Sequence, residues 1–158
     1  MRNSKIIIRK AFPQDAPAIK ALINHFAEKR WMLPRSLSEI YDVIRNFWVV
    51  EKEGKIVGSA ALSICWEDIA EIRSLAVAEE VQKQGWGERL VEKCLSDAAA
   101  LKIKRVFTLT FVPEFFSGRG FKELDKKKLP LKIWRDCLNC PYFPDCREVA
   151  MIIELSLK

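Results

Sequence analysis

No uncharged apolar stretch approaches the roughly 20 residues that a helix needs to cross a bilayer. The longest, residues 47–50 and 56–66, stop well short, and the second is diluted by glycine and serine. A soluble protein is therefore expected, with no membrane partner. An export signal is also missing: Met1-Arg2-Asn3-Ser4-Lys5 runs into three isoleucines and then Arg9-Lys10, with neither a long apolar centre nor a small-residue cleavage site. That points to the cytoplasm. Glycine and proline are scarce, at six and seven, and no Gly/Ser linker, low-complexity segment or internal repeat divides the chain. Its 158 residues accordingly predict one domain, 1–158, without room for a second catalytic one. A basic tail is absent too; the densest run, Lys126-Lys127-Lys128, reads as a solvated loop.

What is present speaks for a packed core: 49% hydrophobic and 30% charged residues exclude a disordered or fibrous chain. The 27 basic and 21 acidic residues leave a net charge of +6, which suits nucleic acid, a phosphorylated cofactor or an acidic metabolite. Nucleic acid is not expected, because no recognition helix or aromatic ribbon is visible.

Periodicity sets the order of elements. Residues 5–10 read as a strand, and Pro13-Gln14-Asp15 opens a helix with Ile19, Leu22, Ile23 and Phe26 on its core face. Ser36-x-x-Glu39 is a capping box, and Leu37, Ile40, Tyr41 and Ile44 give the helix behind it an apolar face. The period then shortens: residues 47–53, a turn at Gly54-Lys55, residues 56–66, a turn near Glu67-Asp68 and residues 69–77 form an antiparallel meander. Residues 85–101 carry Trp86, Leu90, Val91, Cys94, Leu95, Ala98 and Leu101 at helical spacing. Residues 105–110 form a strand, Pro113 opens a short helix ended by Gly118 or Gly120, and residues 149–157 form a last strand. The fold class is mixed α/β (α+β): a central sheet, largely antiparallel, flanked by helices.

The passage from Leu75-Ala76-Val77 through a loop into Gln84-Gly85-Trp86-Gly87-Glu88 suits an anion. The first four amides of a helix lack partners, and its aligned peptide dipoles leave about half a positive charge there. Glycines 85 and 87 let phosphate oxygens reach the backbone. The spacing is neither the GxxxxGK[ST] of nucleotide triphosphate loops nor the GxGxxG of dinucleotide folds, since residue 90 is leucine.

Gln82-x-x-Gly85-x-Gly87 after a strand resembles the acetyl-CoA signature of the GNAT N-acetyltransferases, and Phe115-Phe116-Ser117-Gly118-Arg119-Gly120-Phe121 resembles their second motif. The element order resembles the GNAT acyl-CoA N-acyltransferase fold from residue 5 to the end. Leu33-Pro34-Arg35-Ser36, Trp66-Glu67-Asp68, residues 71–77, Pro113-Glu114-Phe115-Phe116 and residues 129–134 are similar to the short single-domain N-acetylglutamate synthases. The resemblance implies acetyl-CoA as cosubstrate, L-glutamate or a similar amine as small-molecule acceptor, and a homodimer. It places the acetyl and pantetheine arm along Leu75, Ala76 and Val77, the diphosphate on the amides of Gln82, Lys83, Gln84, Gly85, Trp86, Gly87 and Glu88, and Phe116 among the coenzyme-binding residues. It also implies direct attack by the amine on the thioester, with an amide near Val77 polarising the carbonyl oxygen.

Within that frame Glu71 is the candidate base, because alternation along a strand puts residues 71, 73, 75 and 77 on one face; an ordinary surface carboxylate is the alternative. Arg35, Arg73 and Lys132 are candidate cations for the two carboxylates of glutamate, which a guanidinium grips bidentately. Where relatives carry a tyrosine that protonates the departing thiolate, this sequence has Phe116, leaving water, Ser117 or Tyr142 for that role. Cys65 and Cys94 read as core residues. Cys137, Cys140 and Cys146, spaced Cys-x2-Cys-x5-Cys, suit a structural zinc with Asp145, Cys65 or His25 as fourth ligand, reduced thiols or a disulfide. The resemblance to the short synthases extends to this segment and implies that the cluster is a clasp on the loop 137–146, not a catalytic group.

Overall fold

The computed structural model describes residues 5–129 and 148–156. The chain forms two compact units, Met1–Ser63 with Ile72–Ser96, and Ile64–Glu71 with Asp97–Lys158. Seven strands run in the order β1-β2-β3-β4-β5-β7-β6: β1 Ile6–Lys10, β2 Phe47–Lys52, β3 Lys55–Trp66, β4 Ile69–Val77, β5 Arg105–Thr110, β6 Lys122–Leu124 and β7 Val149–Glu154. The β1–β2, β2–β3, β5–β7 and β6–β7 pairs are antiparallel, and β4–β5 is parallel. This is the mixed, largely antiparallel sheet expected from the sequence. The helices are α1 Ala16–Glu28, α2 Leu37–Asp42, α3 Trp86–Ala100 and α4 Pro113–Ser117. Among the described residues no helix is long and apolar enough to cross a membrane.

In the first unit Ala16, Ile19 and Ile23 of α1 pack with Ile40, Ile44, Phe47, Val49 and Ala61. Each of the larger side chains among them, the isoleucines, Phe47 and Val49, contributes about 1.5–3 kcal/mol through removal from water. The capping box forms as expected: the Glu39 amide donates to Ser36 Oγ at 3.1 Å, and the Ser36 amide donates to Glu39 Oε1 at 3.4 Å. The helix behind it is shorter than its apolar pattern suggests. It ends at Asp42 and passes into a 3-10 turn at Ile44–Asn46, so Ile40 and Ile44 are buried while Tyr41 faces solvent.

Arg9 ties the start of this unit together. Its guanidinium donates to both Asp15 carboxylate oxygens, at 2.8 and 3.1 Å, and to Glu51 Oε1 at 3.1 Å. The hydrogen bond from Arg9 holds the Asp15 carboxyl below its ordinary value against the opposing effect of burial, with help from the Phe12 amide. A depressed folded pKa stabilises at pH values above the unfolded value and ceases to do so as pH falls through the folded one. Asp15→Asn is therefore expected to cost about 1–2 kcal/mol at pH 7. The gap from the parent should narrow as pH drops below about 4. Urea unfolding of both proteins at pH 7 and pH 3 measures this, and an equal gap at the two values would contradict it.

In the second unit Cys65, Ile69, Phe107, Leu129 and Ala150 form a core cluster. Phe116 packs edge-on against Phe115 and Phe121, with ring centroids at 5.1 and 5.2 Å. Strand β6 is absent from the sequence expectation, being three mostly charged residues recognisable only through their pairing with β7. Leu101, expected on the buried face of the long helix, is 56% exposed; α3 ends one residue earlier and Lys102 leaves it with a left-handed φ of 62°.

Candidate functional site

Strand β4 is the first component. Its parallel pairing with β5 runs over Ile69–Glu71, and the strand continues beyond that pairing to Val77. Midway, Ser74 adopts φ 55°, a left-handed conformation that bends a strand as a bulge does. The expectation that residues 71, 73, 75 and 77 share one face is corrected by this bend, because alternation holds only where every residue between is extended. Buried Ser59 on β3 donates its hydroxyl to the Ser74 carbonyl at 2.9 Å.

The second component follows without a break. The Ala78 amide donates to Val57 O at 2.8 Å, a 3-10 turn at Glu79–Val81 buries Val81, and the Gln82 side-chain amide donates back to Val77 O at 2.8 Å. That last bond joins the end of β4 to the loop leading into α3. Lys83 at φ 63° and Gly85 at φ 88° give the loop two left-handed residues, an alternation that turns successive N–H groups toward one side and makes a concavity for an anion. The Arg89 amide donates to Gly85 O at 3.1 Å, which begins the helical ladder. The first-turn amides of α3 have no carbonyl behind them in the helix, and its dipole adds positive potential there. Gly85 is required by its φ and not by crowding, since an added Cβ would find nothing nearer than a Glu88 carboxylate oxygen at 3.9 Å.

Leu90, Val91 and Cys94 bury α3. At Gly58 of β3 a Cβ would meet Val50 Cγ2 at 3.0 Å and Leu90 Cδ1 at 3.4 Å, so glycine there allows the helix its close approach. Trp86, a core residue by its spacing, is half-buried, with the Arg89 guanidinium 5.0 Å over its ring. Sequence reasoning missed a further anchor. Glu79 accepts from His25 Nε2 at 2.9 Å and from Lys29 Nζ, tying the turn before the loop to α1. Lys29 first, then His25, lowers the Glu79 carboxyl below its ordinary value. His25, a candidate zinc ligand by sequence, is thus engaged with a carboxylate.

The remaining candidates fall as follows. Glu71 is 7% exposed, which removes the surface-carboxylate alternative. Arg73 is half-buried on β4. Arg35 is half-buried as well; its guanidinium reaches Glu39 Oε2 at 3.5 Å and its amide donates to Asn24 Oδ1 at 3.4 Å. Phe116 is 2% exposed within its aromatic cluster and presents no ionisable group. Lys132, Tyr142, Cys137, Cys140 and Cys146 lie outside the described residues. Among the described residues no group of three His, Cys, Asp or Glu side chains is placed to hold a metal ion, and Cys65 and Cys94 are buried and in no disulfide.

The model of the Acetyltransferase (GNAT) family matches residues 16–121. An uncharacterised N-acetyltransferase of Chlorobaculum tepidum is 41% identical over 145 residues, covering 92% of this chain and 94% of that protein. An amino-acid acetyltransferase of Mycobacterium tuberculosis is 39% identical over 127 residues, covering 78% and 72% of the two chains. The crystal structure of N-acetylglutamate synthase from Neisseria gonorrhoeae, complexed with coenzyme A and N-acetyl-glutamate, superposes with a TM-score of 0.87 at 30% identity. It covers 98% of this chain, which spans 36% of that one.

Proposed function

The chain belongs to the GNAT family of acetyl-CoA-dependent N-acetyltransferases, and from that premise we propose that it acetylates the amino group of L-glutamate, giving N-acetyl-L-glutamate for arginine biosynthesis in the cytoplasm. Residues 1–158 act as one N-acetyltransferase domain, assembled as a homodimer. The observation that carries the acceptor is the likeness, over 98% of this chain, to a synthase structure holding coenzyme A and N-acetyl-glutamate.

The diphosphate of acetyl-CoA sits on the amides of residues 82–88, where left-handed Lys83 and Gly85 and the mouth of α3 supply donors. Its arm runs along the backbone of Leu75, Ala76 and Val77. Both substrates are held together, so the glutamate amine attacks the thioester carbon directly and proximity lowers the barrier. The nitrogen–carbon bond forms as the carbon–sulfur bond breaks, and the nitrogen's proton passes to the Glu71 carboxylate, directly or through a water. A backbone amide near Val77 donates to the oxygen that gains charge. Sulfur departs as thiolate, which for a thiol of pKa about 8.5 costs only about 2 kcal/mol at pH 7. Arg73, with Arg35 and Lys132 as further cations, receives the acceptor's carboxylates. Zinc on Cys137, Cys140 and Cys146 would clasp the 137–146 loop and take no part in transfer.

Thiol release from acetyl-CoA, measured with glutamate and with a panel of other amines, tests this reading. Glutamate should be turned over with the highest kcat/KM. Preference for a different amine would retain the transferase and remove the acceptor. Arg73→Ala should raise the glutamate KM about 10–100-fold, the value of a charge-assisted bidentate contact. Unchanged glutamate saturation would remove Arg73 from the acceptor site.

A further inference from the structure

Three consecutive residues of β3 each set a different part of the proposed coenzyme site. Val57 accepts the Ala78 amide at 2.8 Å, which fixes the exit from β4. Gly58 leaves room for Leu90 and so for α3. Ser59 donates to Ser74 O at 2.9 Å. The first two are backbone features, whereas the third depends on a side chain. Ser59 is fully buried and lies in the run Gly58-Ser59-Ala60-Ala61, all of it enclosed. A hydroxyl there has lost its water and costs stability unless it is hydrogen-bonded, and its bond goes to the residue at which β4 bends.

We propose that Ser59 is a positioning residue for acetyl transfer: its hydroxyl holds Ser74 in the left-handed conformation and thereby aims the Leu75–Val77 backbone at the thioester. The proposal rests on the acetyl-CoA reading above. Left-handed backbone at a residue other than glycine is strained, so Ser74 keeps it only while something offsets that strain. A donor on the neighbouring strand, aimed at the Ser74 carbonyl, does so. Without that donor Ser74 relaxes toward extended φ, and every later residue of β4 turns to the opposite side, as in a one-residue slip. The amide near Val77 then no longer meets the thioester oxygen. The diphosphate loop has holds that do not involve residues 75–77, in buried Val81 and in the Arg89 amide on Gly85 O at the start of α3, so coenzyme affinity should survive.

Ser59→Ala removes the donor, and Ser59→Cys keeps nearly the same volume with a much weaker one, which guards against a packing failure in the alanine variant. The expected result for the folded variants is a kcat lowered tenfold or more. The calorimetric Kd for coenzyme A and the glutamate KM should stay within about twofold, and crystal structures of the variants should show Ser74 out of the left-handed region. A kcat within twofold of the parent overturns the proposal, as does a lowered kcat with Ser74 φ unchanged, since Ser59 would then act by another route. A parent enzyme that releases no thiol with any amine defeats the functional reading instead. The crystal structures still decide whether Ser59 sets the bend, because they need no turnover.

Discussion

Glu71→Gln is expected to lower kcat with glutamate by about 10²–10⁴, the usual contribution of a positioned general base. Glutamine keeps the shape of the side chain and a carbonyl acceptor but takes up no proton at the reacting nitrogen. Because Glu71 is buried, no bulk buffer base readily replaces it, while the acetyl-CoA KM, which the proposed function assigns to the loop at residues 82–88, should change little. Raising the pH should restore part of the lost rate, since a growing fraction of the amine then arrives already neutral. The parent enzyme should also lack a falling basic limb centred near the ordinary tyrosine pKa of about 10, because Phe116 stands at the position to which the family resemblance assigns a tyrosine acid. Initial rates of thiol release from pH 6 to 10.5 measure both effects. A variant kcat within threefold of the parent would remove Glu71 from the reaction.

Gly85→Val should raise the acetyl-CoA KM about 30–100-fold with a smaller effect on kcat. At φ 88° a β-branched residue is strained by roughly 2–3 kcal/mol. The backbone relieves that strain by turning, which would carry the amides of residues 84–86 away from the proposed diphosphate site. Open space around the glycine does not help, because the cost lies in the residue's own backbone. Gly118→Ala is the control: its φ is −66° and its nearest foreign atom to an added Cβ is 3.6 Å away, so its acetyl-CoA KM should stay within about twofold of the parent. Equal saturation by acetyl-CoA in the parent and Gly85→Val would mean that the diphosphate binds elsewhere.

The parts of the fold visible in the sequence are those with a local cause. The capping box at Ser36 and Glu39, the apolar face of α3 and the meander of β2, β3 and β4 follow from spacing and from turn residues within a few positions. The glycine loop was equally legible, since Gly85 announces its own conformation. What escaped has a distant cause. Ser74 has no intrinsic preference for positive φ, and the hydroxyl that holds it lies 15 residues away on another strand. The bond from His25 to Glu79 spans 54 residues, which no periodicity reveals. Burial of Glu71 was hidden for a related reason: the strand's pattern does not show how deeply its charged member lies in the assembled sheet. Leu101 faces solvent because the apolar period continues one residue past the end of α3, whereas Tyr41 lies within α2 on a side that the short helix leaves exposed.

Strand β1 stands at one end of the strand order, so its far side has no strand to pair with among the described residues. Ile6, Ile7 and Ile8 along that rim make a sticky β-rich run of the kind that recruits other chains into aggregates. The residues at its ends act against this. Arg9 is fixed by Asp15 and Glu51, Lys10 sits 4.9 Å over the Trp48 ring, and Lys5 is exposed at the other end. Stacking another copy against this rim would bring like charges together, which makes the border of the sheet a gatekeeper of colloidal solubility as well as a structural limit.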